Sequence, residues 1–201
     1  MSDISFEDRT VIVTGAGNGL GKAYAIELGN RGAKVVVNDL GGSVDGSGSG
    51  STPADEVVNE IIANGGEAVA NYDSVATKDG GEAIVQTAID SFGTVDAVIN
   101  NAGILRDKSF AKMTEEELSL IIDVHLKGTF FVSQPAFTVM KEKNYGRIVN
   151  VASPSGLFGN FGQSNYGAAK MGIVGLTNVL AIEGAKYLSL IHISEPTRQD
   201  R

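Results

Sequence analysis

Three side chains in the last quarter of the chain form a set that can move a proton to or from an alcohol oxygen: the Ser153 hydroxyl, the Tyr166 phenol and the Lys170 ammonium. In Tyr166-Gly-Ala-Ala-Lys170 the i, i+4 spacing puts phenol and ammonium on one face of a helix, one turn apart. A cation held beside a phenol favours the phenolate, so the Tyr166 pKa is expected to fall below its ordinary value of about 10. A phenol tuned in this way can give or take a proton near neutral pH, as hydride transfer between an alcohol and a ketone requires. The same spacing also fits a half-buried tyrosine beside a solvated lysine. The elements that would position the set decide between the two.

Those elements begin at Thr10-Val-Ile-Val-Thr14, a β-branched run followed by the turn Gly15-Ala-Gly-Asn18-Gly19-Leu20-Gly21 and a helical pattern to Asn30. Strand, glycine turn and helix are the setting of a dinucleotide-binding fingerprint. Gly15 makes the tight turn, Gly19 admits the pyrophosphate to the backbone N–H groups, and Gly21 lets helix pack closely on strand. A glycine-rich stretch alone is also an ordinary flexible turn. The run Lys34-Val-Val-Val-Asn-Asp39 adds a second buried strand ending in a carboxylate about twenty residues beyond the glycines. A carboxylate there accepts the adenosine ribose hydroxyls and repels a 2′-phosphate, which selects NAD over NADP; its alternative is a helix cap or a solvated Asp.

The pattern continues with a Gly/Ser-rich loop over Leu40 to Thr52 and a helix from Pro53 to about Ala63, stopped by Asn64-Gly65-Gly66. A third strand, Glu67 to Tyr72, places Asp73 and Ser74 at its carboxyl end, facing an adenine ring. A helix follows over Asp79 to Phe92, then a fourth strand, Val95 to Ile99, ending in Asn100-Asn101-Ala102-Gly103. Bare backbone at that point admits the nicotinamide ribose. Thr114 caps a long helix, Glu115 to Glu142, with Glu117 completing a capping box and loosening expected at Gly128 and Pro135. A fifth strand, Arg147 to Ser153, and a helix from Asn165 to Tyr187 carry the proton-transfer set. Alternating strands and helices with each candidate residue at a strand's carboxyl end predict an α/β fold, a Rossmann-like doubly wound parallel sheet.

Taken together, Thr14-Gly-x-x-x-Gly19-x-Gly21, Asn100-Asn-Ala-Gly103, Ser153 and Tyr166-x-x-x-Lys170 resemble the short-chain dehydrogenase/reductase family from Phe6 to Tyr187. More narrowly, Val37-Asn-Asp-Leu-Gly-Gly42, Ala70-Asn-Tyr-Asp-Ser-Val75, Asn101-Ala-Gly-Ile-Leu-Arg-Asp107 and Gly159-Asn-Phe-Gly-Gln163 are similar to the (3R)-hydroxyacyl-CoA dehydrogenase domain of the multifunctional enzyme of β-oxidation and to free-standing bacterial proteins. The resemblance implies NAD-dependent oxidation of a secondary alcohol, a (3R)-3-hydroxyacyl-CoA, with a steroid or sugar alcohol as the alternative substrate. It implies Tyr166 as general base, Ser153 holding the reacting oxygen, and Lys170 binding the nicotinamide ribose. It also implies a homodimer or tetramer packed through the two long helices. Where many members carry an Asn that anchors a relay water, this chain has His125, read as a relay residue or a plainly packed histidine.

Composition fits this picture. The 201 residues are 42% hydrophobic and 20% charged, enough for one domain with a sizeable core. Without cysteine, thiol catalysis, disulfides and zinc–thiolate sites are excluded, and two histidines do not make a histidine-rich metal site. A formal charge of −8 opposes nucleic acid and anionic membrane as partners. The first residues carry no signal peptide pattern and no apolar run spans a bilayer. A cytoplasmic location is expected, or a peroxisomal one in a eukaryote.

The family pattern continues beyond the last long helix with two further strands and a substrate-covering segment. Here Leu188-Ser-Leu-Ile-His-Ile-Ser-Glu-Pro-Thr-Arg198 resembles a translated sequencing adapter, so residues 1–187 are read as an incomplete NAD-binding domain and 188–201 as a non-native tail. On that reading five native strands remain, the last two are missing, and the fifth is an exposed apolar edge prone to aggregation. The chain is then unstable and poorly active, down to an inactive dinucleotide-binding fragment. The alternative is that Leu188 to Ile193 forms a sixth strand.

Overall fold

Five short β-branched or alanine-rich runs and the segment following the last long helix assemble into one parallel sheet. The structure is a computed structural model and describes residues 4–42, 52–187 and 190–194. The strands are β1 (Thr10–Thr14), β2 (Lys34–Asn38), β3 (Glu67–Asn71), β4 (Ala97–Asn100), β5 (Arg147–Val151) and β6 (Leu190–Ser194), in the order β3-β2-β1-β4-β5-β6. This is the doubly wound order in which the crossover direction reverses beside the first strand. The helices are α1 (Gly19–Asn30), α2 (Thr52–Ala63), α3 (Lys78–Phe92), α4 (Glu115–Ile121), α5 (Gly128–Glu142), α6 (Pro154–Phe158) and α7 (Ser164–Gly184).

Because side chains alternate along a strand, neighbouring residues feed two separate cores. Val11, Val13, Val35 and Val37 pack with Ala25, Val57 and Ile61 of α1 and α2. Ile12, Val36, Val98 and Ile148 pack with Ile84, Val85, Val132 and Met140 of α3 and α5. All of these side chains are buried, and each such Val, Ile or Met contributes about 1.5–3 kcal/mol relative to leaving it exposed. The register Val11↔Val35 and Ile12↔Val36 keeps both faces apolar at once, and a one-residue slip would exchange them.

The long helix expected across Glu115–Glu142 is instead two helices joined by a π-helical segment, Ile122–Lys127. Its start is as expected: the Thr114 hydroxyl accepts from the Glu117 N–H at 3.2 Å and the Glu117 carboxylate accepts from the Thr114 N–H at 3.0 Å. The loosening falls ahead of Gly128, while α5 runs on through Pro135. Pro135 has no N–H for the Phe131 carbonyl four residues back. The helix α3 comes up against that same carbonyl through Gly81, where a Cβ would lie 2.6 Å from Phe131 O.

At the far edge, Leu190–Ser194 forms the sixth strand within the span assigned to the tail, pairing in parallel with Arg147–Val151. The expectation that β5 is the exposed edge is therefore corrected: its outer backbone groups are satisfied by β6. The rest of the tail, the side chains of 190–194 including His192, and residues 43–51 of the Gly/Ser-rich loop lie outside the described residues. Removing residues 188–201 unpairs β5, and thermal melts with light scattering should show a melting temperature lower by on the order of 5 °C and earlier aggregation.

Candidate functional site

The glycine turn meets the end of β4 at van der Waals limits. Gly15 has φ +61, and a Cβ on it would stand 2.7 Å from the Ala102 Cα; one on Gly21 would stand 2.1 Å from Gly15 O. The Asn101 side-chain amide donates to Thr14 O and Gly15 O, both at 3.0 Å, and the Thr14 hydroxyl accepts from the N–H groups of Asn101 and Ala102, both at 3.1 Å. Asn101 thus clamps the turn.

Above the clamp, Asn18, Gly19 and Leu20 are exposed. Gly19 has φ +55, with nothing within 4 Å of where its Cβ would be, and Asn18 caps α1 without a side-chain hydrogen bond. The start of α1 is thus exposed, and the first N–H groups of a helix have no partner within it, a setting suited to an anionic diphosphate. The half-buried Asp39 carboxylate at the end of β2 accepts from Gly17 N–H at 2.8 Å and Gly41 N–H at 2.7 Å, which fixes its orientation beside the turn. Asp73 and Ser74 stand at the end of β3 as expected, with their side chains engaged locally. Asp73 accepts from the Asn71 amide at 2.7 Å and Ser74 accepts from Ala76 N–H at 3.3 Å. The glycine cradle, the free helix end and the oriented carboxylate fit a dinucleotide.

From this turn an unbroken run of contacts leads to the phenol. Next to Ala102, Gly103 has no Cβ, and one would lie 2.4 Å from Cε1 of His125. The π-helical segment carries His125 to this point, where Nε2 lies 3.1 Å from the Ile104 N and 2.8 Å from its O. The imidazole meets the Tyr166 ring edge-on, centroids 5.1 Å apart and planes at 88°. On the phenol's other sides are Ser153, which caps α6 by accepting from Ser155 N–H at 3.2 Å, and Lys170, whose Nζ lies 5.7 Å from the ring centroid.

The electrostatics differ from the sequence expectation in sign. Burial pushes the Tyr166 pKa up, the Ser153 hydroxyl beside it works downward, and Asp107 pushes it up again. Lys170 does not draw it down. Its buried ammonium donates to Val151 O at 2.6 Å, and burial lowers its own pKa to about 8. His125 is held neutral, its pKa lowered to about 3 by burial and the nearby Lys170 charge against the opposing Ile104 hydrogen bond. Its Nδ1 is buried with no hydrogen-bond partner. Among the described residues no His/Asp/Glu cluster could hold a metal ion.

Residues 9–195 match the short chain dehydrogenase family. The chain belongs to the short-chain dehydrogenase family. It is 58% identical over 199 residues to a peroxisomal hydratase-dehydrogenase-epimerase of Saccharomyces cerevisiae, covering 99% of this chain and 22% of that protein. It is 57% identical over 185 residues to the peroxisomal multifunctional enzyme type 2 of Mus musculus, covering 92% of this chain and 25% of that one. A solved short chain dehydrogenase from Mycobacterium avium matches with a TM-score of 0.87 at 44% identity, over 96% of this chain and 69% of the other. Membership of the short-chain dehydrogenase family implies a nicotinamide dinucleotide as cofactor. The chain spans about a quarter or less of the two multifunctional relatives.

Two groups in this short-chain dehydrogenase were not singled out from the sequence. Asn38 and Asn71 pair across β2 and β3 at 2.8 Å, and Asn100 and Asn150 across β4 and β5 at 2.8 Å, with Ser133 and Thr177 completing the second pair. The signal was present, since the runs KVVVN, EAVAN, AVIN and RIVN all reach Asn near the strand's end. The second group is Asn165, buried directly before Tyr166, for which no spacing rule applied.

The burial of neutral His125 has a consequence for stability. Its folded pKa of about 3 lies below the unfolded 6.5, so the unfolded chain binds more protons between these values. The stabilisation is present above 6.5 and is lost as pH falls toward 3. In His125→Gln, thermal melts at about pH 7 and about pH 5 should differ less than they do in the parent; an equal difference would contradict a buried neutral imidazole.

Proposed function

We propose that the protein is an NAD-dependent dehydrogenase that interconverts a secondary alcohol and its ketone, with a (3R)-3-hydroxyacyl-CoA as the alcohol. The observation that carries this reading is the continuous contact from the glycine turn through Asn101, Ala102, Gly103 and His125 to the Tyr166 phenol, flanked by Ser153 and Lys170. The preference for NAD rests on Asp39, whose oriented carboxylate would repel a 2′-phosphate. The acyl-CoA substrate rests on the four short motifs, and the two multifunctional relatives are named as peroxisomal enzymes, which favours a peroxisomal location. The domain responsible is 1–187, and 188–201 is a non-native tail, which sequencing the gene past Tyr187 would test.

The bound dinucleotide supplies the hydride acceptor. Gly15, Asn18, Gly19, Leu20 and Gly21 would hold its diphosphate, Asp39 its adenosine ribose, Asp73 and Ser74 its adenine, and Asn101 to Gly103 its nicotinamide ribose. Tyr166 takes the alcohol proton in oxidation and returns it in reduction. Ser153 donates to the same oxygen and keeps it in line. Lys170 would hold the nicotinamide ribose with the ammonium hydrogens that Val151 O does not take. Neutral His125, with its unpaired Nδ1, holds a relay water behind the phenol. The exposed Phe130, Val179 and Ile182 on α5 and α7 are covered by a second copy in a homo-oligomer.

Because the phenol is held above its usual range, oxidation should rise by about tenfold per pH unit through the neutral range, as the base form grows, while reduction stays flat. Tyr166→Phe should cut 3-hydroxybutyryl-CoA oxidation by about a thousandfold and leave NADH binding, followed by its own fluorescence, within about twofold. Retained turnover in that variant would overturn the acid–base assignment. NAD binding without turnover in the parent would instead make the chain a dinucleotide-binding module.

Asp39→Ala should weaken NAD by roughly tenfold and narrow the discrimination against NADP, read by competition with NADH.

A further inference from the structure

The segment after β4 is fastened to the first turn of α7 from several sides. Asn165, 1% exposed, donates from Nδ2 to Arg106 O and to Glu117 O, each at 3.1 Å, and accepts the Tyr166 N–H on Oδ1 at 2.7 Å. Every donor of that amide is used, on two carbonyls from two different elements. Around it, Gln163 donates to Asp107 at 2.8 Å, Lys108 N–H donates to Gly162 O at 2.8 Å, and Lys108 Nζ lies 3.4 Å from the Glu117 carboxylate. Asp107, held by this fastening, is one of the groups that raise the Tyr166 pKa.

We propose that Asn165 is the positioning residue of the phenol. By joining Arg106 and Glu117 to the peptide of Tyr166, it makes the 106–108 segment, α4 and the proton-transferring oxygen move as one body. The inference rests on the proton-transfer role given above to Tyr166. Asn alone meets the geometry. An Asp keeps the acceptor for Tyr166 N–H but turns an oxygen toward two carbonyl oxygens, and an Ala removes the donor that joins the two carbonyls.

The test compares Asn165→Ala and Asn165→Asp with the parent in three measurements: steady-state 3-hydroxybutyryl-CoA oxidation, NADH binding by fluorescence, and the Tyr166 titration. The last is the phenolate absorbance of each protein minus that of the same protein carrying Tyr166→Phe. Both variants should lose kcat by on the order of tenfold to a hundredfold, keep the NADH dissociation constant within about twofold, and show the Tyr166 midpoint falling toward its ordinary value of about 10 as the ring loses its burial. An Asn165→Asp protein with the parent's kcat and midpoint would overturn the proposal. So would a parallel loss of kcat and NADH affinity with the midpoint unmoved, which marks general damage. If the parent itself turns over no alcohol, the dehydrogenase reading fails, and the midpoint alone still decides: a shift in both variants supports positioning and no shift refutes it.

Discussion

A Cβ at Gly15 would stand 2.7 Å from the Ala102 Cα, and the absence of that atom is what allows the ends of the two central strands to meet. The sheet order reverses direction between β1 and β4, so a crevice opens there by topology alone. Topology does not fix its width. The glycine contact and the Asn101 amide do, by holding the turn to the β4 end through two side-chain hydrogen bonds and two more from backbone N–H groups to Thr14. His125 is then seated on Gly103, and Tyr166 stands against His125. Each placement inherits its accuracy from the one before it.

Behind that line the sheet carries a set of buried polar side chains. Asn150 is fully buried and bridges Asn100 to Thr177, while Asn100 also reaches Ser133. A buried amide without partners costs about 1–3 kcal/mol, so these groups hold β4, β5, α5 and α7 to one register, in which all are satisfied together. The same logic applies at Asn38 and Asn71 between β2 and β3. Both pairs sit close to the strand ends from which the site residues project, where a register error would do most harm.

The sheet was legible because its signals are local. Valine runs, glycine turns and a carboxylate at a fixed distance each report on a few neighbouring residues, and β1 to β5 lie within a residue or two of where they were read. The Thr114 capping box was legible for the same reason. What escaped depends on tertiary context. The five-residue helix α6 starts at Pro154, announced only by the Ser153 cap and the proline at its first position. The sixth strand is masked by what its residues resemble, whereas β5 offers a backbone edge that an apolar segment pairs with. The sign of the Tyr166 shift does not follow from spacing: i, i+4 brings Lys170 near the ring, but its ammonium donates to Val151 O and burial raises the phenol.

The π-helical segment between α4 and α5 carries a consequence of its own. An α-helix advances about 100° per residue, and a wider π turn absorbs a residue that regular winding would not accommodate. Forced to wind as ordinary helix at its present length, Ile122–Lys127 would rotate α4 by about that angle relative to α5. The Glu117 carbonyl that receives the Asn165 amide would swing away from α7, and His125 would leave Gly103. At this point of the chain the winding itself is under constraint, because the wide turn is what lets α4 and His125 keep their contacts at once.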